Sequence, residues 1–148
     1  RRLQGWKSHL IMKKLLFTLV LLSLLINHPA RSDFNDGWTA YSSGNYKKAF
    51  TEWLPFAEQG DAQAQYNLAG LYVNGYGVDL DEDKAFNWYK KSAQQGLAKA
   101  QYNVGAMYLT STGVDQSYTK AKHWLSLAYE NGIEDSKALW DKYELWNY

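Results

Sequence analysis

The 148-residue chain has no cysteine, only two prolines (Pro29 and Pro55) and only three histidines (His9, His28 and His123). Without cysteine there is no disulfide scaffold, thiol nucleophile, CxxC redox motif, Cys-bound zinc or iron–sulfur cluster. A strong charge of one sign is also missing, since the formal net charge is +1. That balance hides an asymmetry. Residues 1–32 hold six basic side chains (Arg1, Arg2, Lys7, Lys13, Lys14, Arg31) and no acid, while residues 33–148 hold ten lysines against fifteen acids, a net charge of −5. A mildly acidic body lacks the positive stripe that phosphate binding requires, so no nucleic-acid partner is expected. What the chain does have is apolar bulk. Hydrophobic residues make up 46% and aromatics 16%, too much for a disordered segment.

The basic end has the layout of an export signal. Met12-Lys13-Lys14 precedes an almost wholly apolar run from Leu15 to Ile26, followed by Asn27, His28, Pro29, Ala30, Arg31 and Ser32. A positive region, a short apolar core and small residues before a cut follow signal-peptide order. Ala30 and Ser32 stand at −3 and −1 of a cut before Asp33, and a cut after Ala30 is the alternative. The apolar run is short beside the ~20 residues of a membrane span, so an uncleaved anchor is the second reading. Residues 1–11 are read as upstream extension and 12–32 as signal peptide. The expected location is periplasmic or secreted, with membrane contact through the signal segment alone. An exported chain without cysteine is held together by packing.

The remainder repeats every 36 residues. Residues 64–96 and 100–132 align without a gap and share 12 of 33 positions, among them Ala64/Ala100, Gln65/Gln101, Tyr66/Tyr102, Asn67/Asn103, Gly77/Gly113, Trp88/Trp124 and Gly96/Gly132. The same shift reaches back through Lys48/Lys84, Ala49/Ala85, Phe50/Phe86 and Gly60/Gly96. A fixed period of this size marks a solenoid, in which each unit buries its apolar side against its neighbours.

Each period reads as two helices. The first helix runs from Asp61 to about Asn74, with Asp61 as N-cap and Gly75-Tyr76-Gly77 as its stop. Its buried stripe is 64, 65, 68, 69 and 72. The second starts near Asp81, where acidic residues suit the helix dipole, and buries Ala85, Trp88, Tyr89 and Ser92 before Gly96. The next period does the same, with Tyr102, Gly105 and Tyr108 in its first helix, then Gly113, then a second helix from Ser117 to Asn131. Short helices over 34–43 and 45–59 precede these, with Pro55 expected to bend the latter. A last helix from Glu134 to about Trp146 is expected to cover the stack with Leu139, Tyr143 and Trp146. The organisation is therefore a half repeat at 33–60, repeats at 61–96 and 97–132, and a cap at 133–148. Bulky rings would seat in spaces left by Ala64, Ala69, Ala85, Ala93, Ala100, Gly105 and Ala121. Replacing Trp88 or Trp124 by alanine is expected to cost on the order of 3–5 kcal/mol.

The runs Ala64-Gln-Tyr-Asn-Leu-Ala-Gly-Leu-Tyr72, Gly75-Tyr-Gly-Val-Asp79 and Asp83-Lys-Ala-Phe-Asn-Trp-Tyr-Lys-Lys-Ser-Ala93 resemble the Sel-1-like repeat, a relative of the tetratricopeptide repeat. The resemblance covers about residues 44–132. The second copy departs from it at Ser111, which replaces the first loop glycine, and at 126–129. The resemblance implies an all-α, right-handed α-α superhelix with a concave groove. It implies a non-enzymatic adaptor for other proteins, and exported bacterial members are linked to envelope signalling, stress regulation or host contact. Cysteine-rich relatives with reported β-lactam binding differ in the disulfides this chain lacks.

In the tetratricopeptide relatives one flank of the first helix lines the groove. Carried onto this chain, that flank is Gln63, Tyr66, Gly70 and Val73, then Lys99, Tyr102, Ala106 and Leu109. Tyr66 and Tyr102 would form a ladder there, tyrosine giving contact area at low entropy cost. Asn67 and Asn103 also repeat; they are read as loop braces, with bonding to a ligand backbone as the alternative. The expected partner is another protein of the envelope or host, with self-association also open. The alternative is a cell-wall glycan stacking on exposed aromatics.

No catalytic residue, metal site or cofactor is expected. After residue 32, His123 is the one histidine available to a Ser-His-Asp triad, and it aligns with solvent-facing Asn87. Asp79, Asp81 and Asp83 are spaced as in a calcium loop, but its sixth and twelfth positions hold Lys84 and Lys90 instead of glycine and glutamate. Helix capping explains these acids better.

Overall fold

The computed structural model describes residues 33–148, so the upstream and signal-peptide readings lie outside the described residues. The described residues contain seven α-helices and no strand: α1 (Phe34–Ser42), α2 (Tyr46–Glu58), α3 (Ala62–Asn74), α4 (Glu82–Gln94), α5 (Ala98–Thr110), α6 (Tyr118–Glu130) and α7 (Asp135–Lys142). A 3₁₀ turn follows at Leu145–Asn147. None of these helices is long and apolar enough to cross a membrane. Helices α2, α4 and α6 superpose in sequence under a shift of 36, as do α3 and α5. The result is an all-α helical solenoid of stacked antiparallel pairs.

Local chemistry sets the boundaries. The carboxylates of Asp33, Asp61 and Asp81 accept the amides of Asn35 (2.9 Å), Ala64 (2.7 Å) and Lys84 (2.9 Å), each filling an orphan donor of a first turn. Asn45 and Ser117 do the same for α2 and α6. Helix α5 lacks such a bond, because its cap is Leu97. Gly75 ends α3 at φ 65°, and Ser111 ends α5 in the same left-handed conformation at φ 58°. A serine there keeps the loop geometry at a steric cost, partly offset by its hydroxyl bond to the Val114 carbonyl (3.2 Å). Helix α2 runs through Pro55 to Glu58, and the Pro55 carbonyl accepts both the amide and the side chain of Gln59.

Two devices lock one repeat onto the next at a constant spacing. The first is a pair of backbone contacts. A Cβ on Gly77 would collide with the Tyr46–Lys47 peptide at the start of α2, and one on Gly113 with the Glu82–Asp83 peptide at the start of α4. These are equivalent peptides 36 residues apart. The second is a buried amide seam. Gln65 donates to the Ala57 carbonyl (3.1 Å) and accepts from Gln95 (2.8 Å); Gln101 donates to Ala93 (3.3 Å) and accepts from Asn131 (2.9 Å). Both glutamines are nearly inaccessible, and their bonds keep the polar groups satisfied.

The apolar interior divides into two clusters. Trp53, Ala57, Ala64, Leu68 and Leu71 centre the first; Phe86, Tyr89, Val104, Met107, Tyr108, Leu109 and Leu125 centre the second. Large residues of α2 and α6 face glycines of the preceding helix: a Cβ on Gly37 would overlap the Trp53 indole, and one on Gly105 would come within 2.7 Å of Leu125. This pairing differs from the expectation for tryptophan. Trp53 is the indole that is fully buried, at 1% exposure. Trp88 and Trp124 are half-buried. The reason is register: Trp88 precedes Tyr89 on α4, so Tyr89 takes the inward position and Trp88 lies at the seam, packed against both clusters with the Lys91 ammonium 4.2 Å from its ring.

The C-terminal cap also differs from the expected single helix. Helix α7 stops at Lys142, and Glu144 turns the chain at φ 48°. Leu145 is thereby fully buried, while Trp146 is exposed. Leu139 and Tyr143 do pack on the second cluster, joined by Trp140. Under the 36-residue shift, Lys137 and Asp141 of α7 stand where Gln101 and Gly105 stand in α5. They form an exposed ion pair at 2.7 Å.

Candidate functional site

Helices α1, α3 and α5 share one side of the solenoid, and two recesses open along it. The first, of about 230 Å³, is lined by Trp38, Tyr41, Trp53, Tyr66, Asn67, Gly70, Asn74 and Tyr89. The second, of about 190 Å³, is lined by Val73, Tyr89, Asn103, Ala106, Met107 and Thr110. They repeat: Asn67, Gly70 and Asn74 of the first align with Asn103, Ala106 and Thr110 of the second. Tyr89 borders both and forms the partition. Its ring packs 5.4 Å from that of Tyr66. Burial pushes the Tyr89 phenol well above its ordinary pKa, Tyr66 adds to the rise, and the nearby Asn103 amide opposes it. A neutral phenol therefore stands between the recesses at any physiological pH.

The residues expected to line a groove are distributed unevenly over this side. Tyr66 lines the first recess and Val73 the second. Gln63 is half-buried beside them and donates to Asn67 Oδ1 (2.9 Å). Lys99 is exposed on the first turn of α5, and Tyr102 is half-buried against the second cluster. Leu109 is not a groove residue. It is 2% exposed and belongs to the core, because it lies one turn after Gly105 on the stripe that meets Leu125. The face that opens is thus rotated by about one position, to 66, 67, 70 and 74 on α3 and 103, 106, 107 and 110 on α5.

Asn67 and Asn103 are not loop braces. Asn67 is buried at 7% exposure, takes Gln63 as its partner within α3, and has an amide nitrogen with no hydrogen bond. Asn103 stands beside Tyr89 in the lining of the second recess. The aromatic lining of the first recess from α1 was also missed by sequence reasoning. The signal available was Trp38 and Tyr41 at helical spacing in a half repeat, which the 36-residue alignment does not reach.

Other surfaces are less suited to a shared role. A cavity of about 330 Å³ lies between α6 and α7, lined by Leu125, Ser126, Tyr129, Glu130, Ser136, Lys137, Trp140 and Asp141. It is the seam of the cap. His123 is exposed on α6 with its ring 5.4 Å from Trp124. Asp81 serves as N-cap and pairs with Lys84 at 2.9 Å. No group of three or more His, Cys, Asp or Glu side chains suited to a metal ion occurs among the described residues.

Comparison with known proteins agrees with this geometry. Residues 62–97 and 98–133 match the Sel1 repeat family. No curated protein sequence matches the chain. Among solved structures, a Sel1 repeat protein from Oxalobacter formigenes superposes with a TM-score of 0.67 at 31% identity, covering 70% of this chain and 42% of that one. The protein c5321, a protective antigen present in uropathogenic Escherichia coli strains and displaying an SLR fold, superposes with a TM-score of 0.68 at 30% identity, covering 74% of this chain and 25% of that one. The chain thus spans less than half the length of either relative. Two matched repeats, the helix pairs and these neighbours together establish that the chain belongs to the Sel1-repeat proteins, whose fold is generally a scaffold for protein–protein interaction.

Proposed function

We propose that the chain is an exported adaptor that holds an extended segment of another envelope or host protein along the side formed by α1, α3 and α5. One observation carries the reading: two recesses of similar size recur a repeat apart on one face and share a rigid tyrosine partition. A ligand with regularly spaced side chains fits such a row, as an extended peptide does with its alternate residues. The rings of Trp38, Tyr41 and Tyr66 supply contact area with few rotors to immobilise. The layout of residues 12–32 supports export. With two full repeats the groove is short, so the expected affinity is modest.

Site-specific photo-cross-linking tests the face. A benzophenone side chain at Asn74 or Thr110, at the rims of the two recesses, should trap a partner in the native envelope. The same group at exposed Asn87 on α4 should not. Adducts from Asn87 alone would overturn the assignment. Export is tested separately by N-terminal sequencing of the cell-derived protein, with Asp33 the expected first residue.

A further inference from the structure

The three seams between a second helix and the following first helix are equivalent in sequence and unlike in closure. In the α2–α3 seam Ala57 faces Ala64 and Leu68, and in the α4–α5 seam Ala93 faces Ala100 and Val104; none of these is more than 2% exposed. A glutamine closes each seam, Gln65 reaching the Ala57 carbonyl and Gln101 the Ala93 carbonyl. In the α6–α7 seam the same shift of 36 puts Tyr129 at the alanine, Ser136 and Trp140 at the positions opposite, and Lys137 at the glutamine. Lys137 pairs with Asp141, one turn along its own helix, at 2.7 Å. Tyr129 is 53% exposed and Trp140 is half-buried. Where the other seams are filled by alanine, an aliphatic side chain and an amide, this one holds a cavity of about 330 Å³.

The lining says what such a cavity admits. A cavity of ~150 Å³ holds a benzene, so this one has room for one or two rings and falls in the range of small-molecule sites. Leu125, Tyr129 and Trp140 give it apolar and aromatic walls, while Glu130, Lys137 and Asp141 give the lining a net charge of −1. Lys137 and Asp141 neutralise each other. Glu130 has no ion-pair partner among the described residues. Lys122 lies 5.5 Å from the Trp140 ring, outside the lining, and is tied to the Tyr148 carbonyl at 2.6 Å. Ser136 adds a hydroxyl, buried and without a partner among the described residues, where Ala64 and Ala100 have a methyl. An anion would meet one ammonium that is already paired. A protonated amine meets a spare carboxylate and two ring faces, all of which favour positive charge. We propose that the α6–α7 seam binds a small organic amine, its ring or rings seated against Leu125, Tyr129 and Trp140 and its ammonium on Glu130. This site belongs to the cap and is independent of the α1, α3 and α5 side.

The test titrates the full chain with three probes of one size and different charge (tryptamine, tryptophol and indoleacetate) and follows the Trp140 indole N–H by proton–nitrogen NMR. Tryptamine should bind saturably, about tenfold or more tightly than either of the others, the factor expected of a hydrogen bond to a charged group. Glu130→Gln should bring tryptamine down to the affinity of tryptophol. Tyr129→Ala restores the alanine of the other two seams at a half-exposed position. It should leave the urea midpoint unchanged and weaken tryptamine and tryptophol alike. Equal affinities for the three probes would mark a merely apolar crevice and overturn the amine assignment, as would undiminished tryptamine binding by Glu130→Gln. The absence of saturable binding at millimolar tryptamine, or shifts confined to indoles other than Trp140, would overturn the site. So would a dimer in sedimentation whose formation itself shifts Trp140, since a second copy would then cover the seam.

Discussion

The two Sel1 repeats have nearly the same backbone and rather different contents. At the centre of the second helix, Tyr89 of α4 corresponds to Leu125 of α6, and one repeat earlier to Trp53 of α2. The facing helix adjusts, with Gly37 opposite Trp53 and Gly105 opposite Leu125. The identical residues lie elsewhere. Gly77 and Gly113 touch the first peptide of the preceding second helix, and Gln65 and Gln101 tie successive helices through the same three-membered seam. Spacing between units is thus held by contacts to backbone, which cannot change shape. The interior is filled by whatever pair of large and small residues totals the right volume. Variation that is tolerated in the core then alters chemistry at the surface, since the ring that fills the core at position 89 also sets the polarity of the recess.

The largest effect that would break this comparison is at the most voluminous of the three central residues. Trp53→Ala should lose about 3–5 kcal/mol in urea denaturation, against a much smaller loss for half-buried Trp88→Ala. Equal losses would show that the interior is not centred on the 53, 89 and 125 positions. Next, Gly77→Ala and Gly113→Ala should each cost about 2–4 kcal/mol, from left-handed backbone and from forced separation of the repeats. The two should match within error, because the peptides they touch are equivalent. Gly70→Ala is the contrast. Its Cβ would come no nearer than 3.7 Å to the Tyr89 hydroxyl, and a helical glycine to alanine change should gain about 0.5–1 kcal/mol. Smaller still, Leu97→Asp should give α5 the cap that Asp61 gives α3, gaining about 1 kcal/mol in thermal or urea melts.

Much of this was legible in the sequence. The 36-residue identity, the Asp, Asn and Ser caps and the glycine stops placed α1 to α4 and α6 within about a residue and set α5 by repetition, since those signals act over a single turn. The pattern of α3 was harder. It is buried on several sides, between α2 and α4, so Asn67 and Leu71 are inaccessible along with Ala64, Gln65, Leu68 and Ala69 of the expected stripe, while Tyr72 is only half-buried. With so little exposed surface, a rotation of one position moves a residue between core and rim, which is why Leu109 was misplaced. The cap was misread for another reason. The pattern Leu139, Tyr143 and Trp146 suits a continuous helix, but burial of Leu145 requires the turn at Glu144. Nothing local announces that turn; it is dictated by the second cluster.

The subtlest difference between the repeats concerns acid. The N-cap of α4 is Asp81 and that of α6 is Ser117, and each accepts the amide of the lysine three residues on. The Lys84 amide, then the Lys84 ammonium, hold the Asp81 carboxyl below its ordinary value, and Asp81 raises Lys84 in turn. A carboxyl lowered in the folded state stabilises the fold fully above its unfolded value and loses that contribution as pH falls through the folded one. For Lys84 the sign reverses: its contribution is complete below the ordinary lysine value and fades as pH rises through the higher folded value. Neutral pH therefore lies on the plateau for both. Acidification should fray the first turn of α4 while leaving that of α6 unchanged, because a serine hydroxyl does not titrate in this range. Amide exchange at Lys84 should accelerate relative to Lys120 below the ordinary aspartate range. Asp81→Ser should remove the difference. An acid response at Lys120 equal to that at Lys84 would show that the fraying is global, and that the two caps behave alike despite their chemistry.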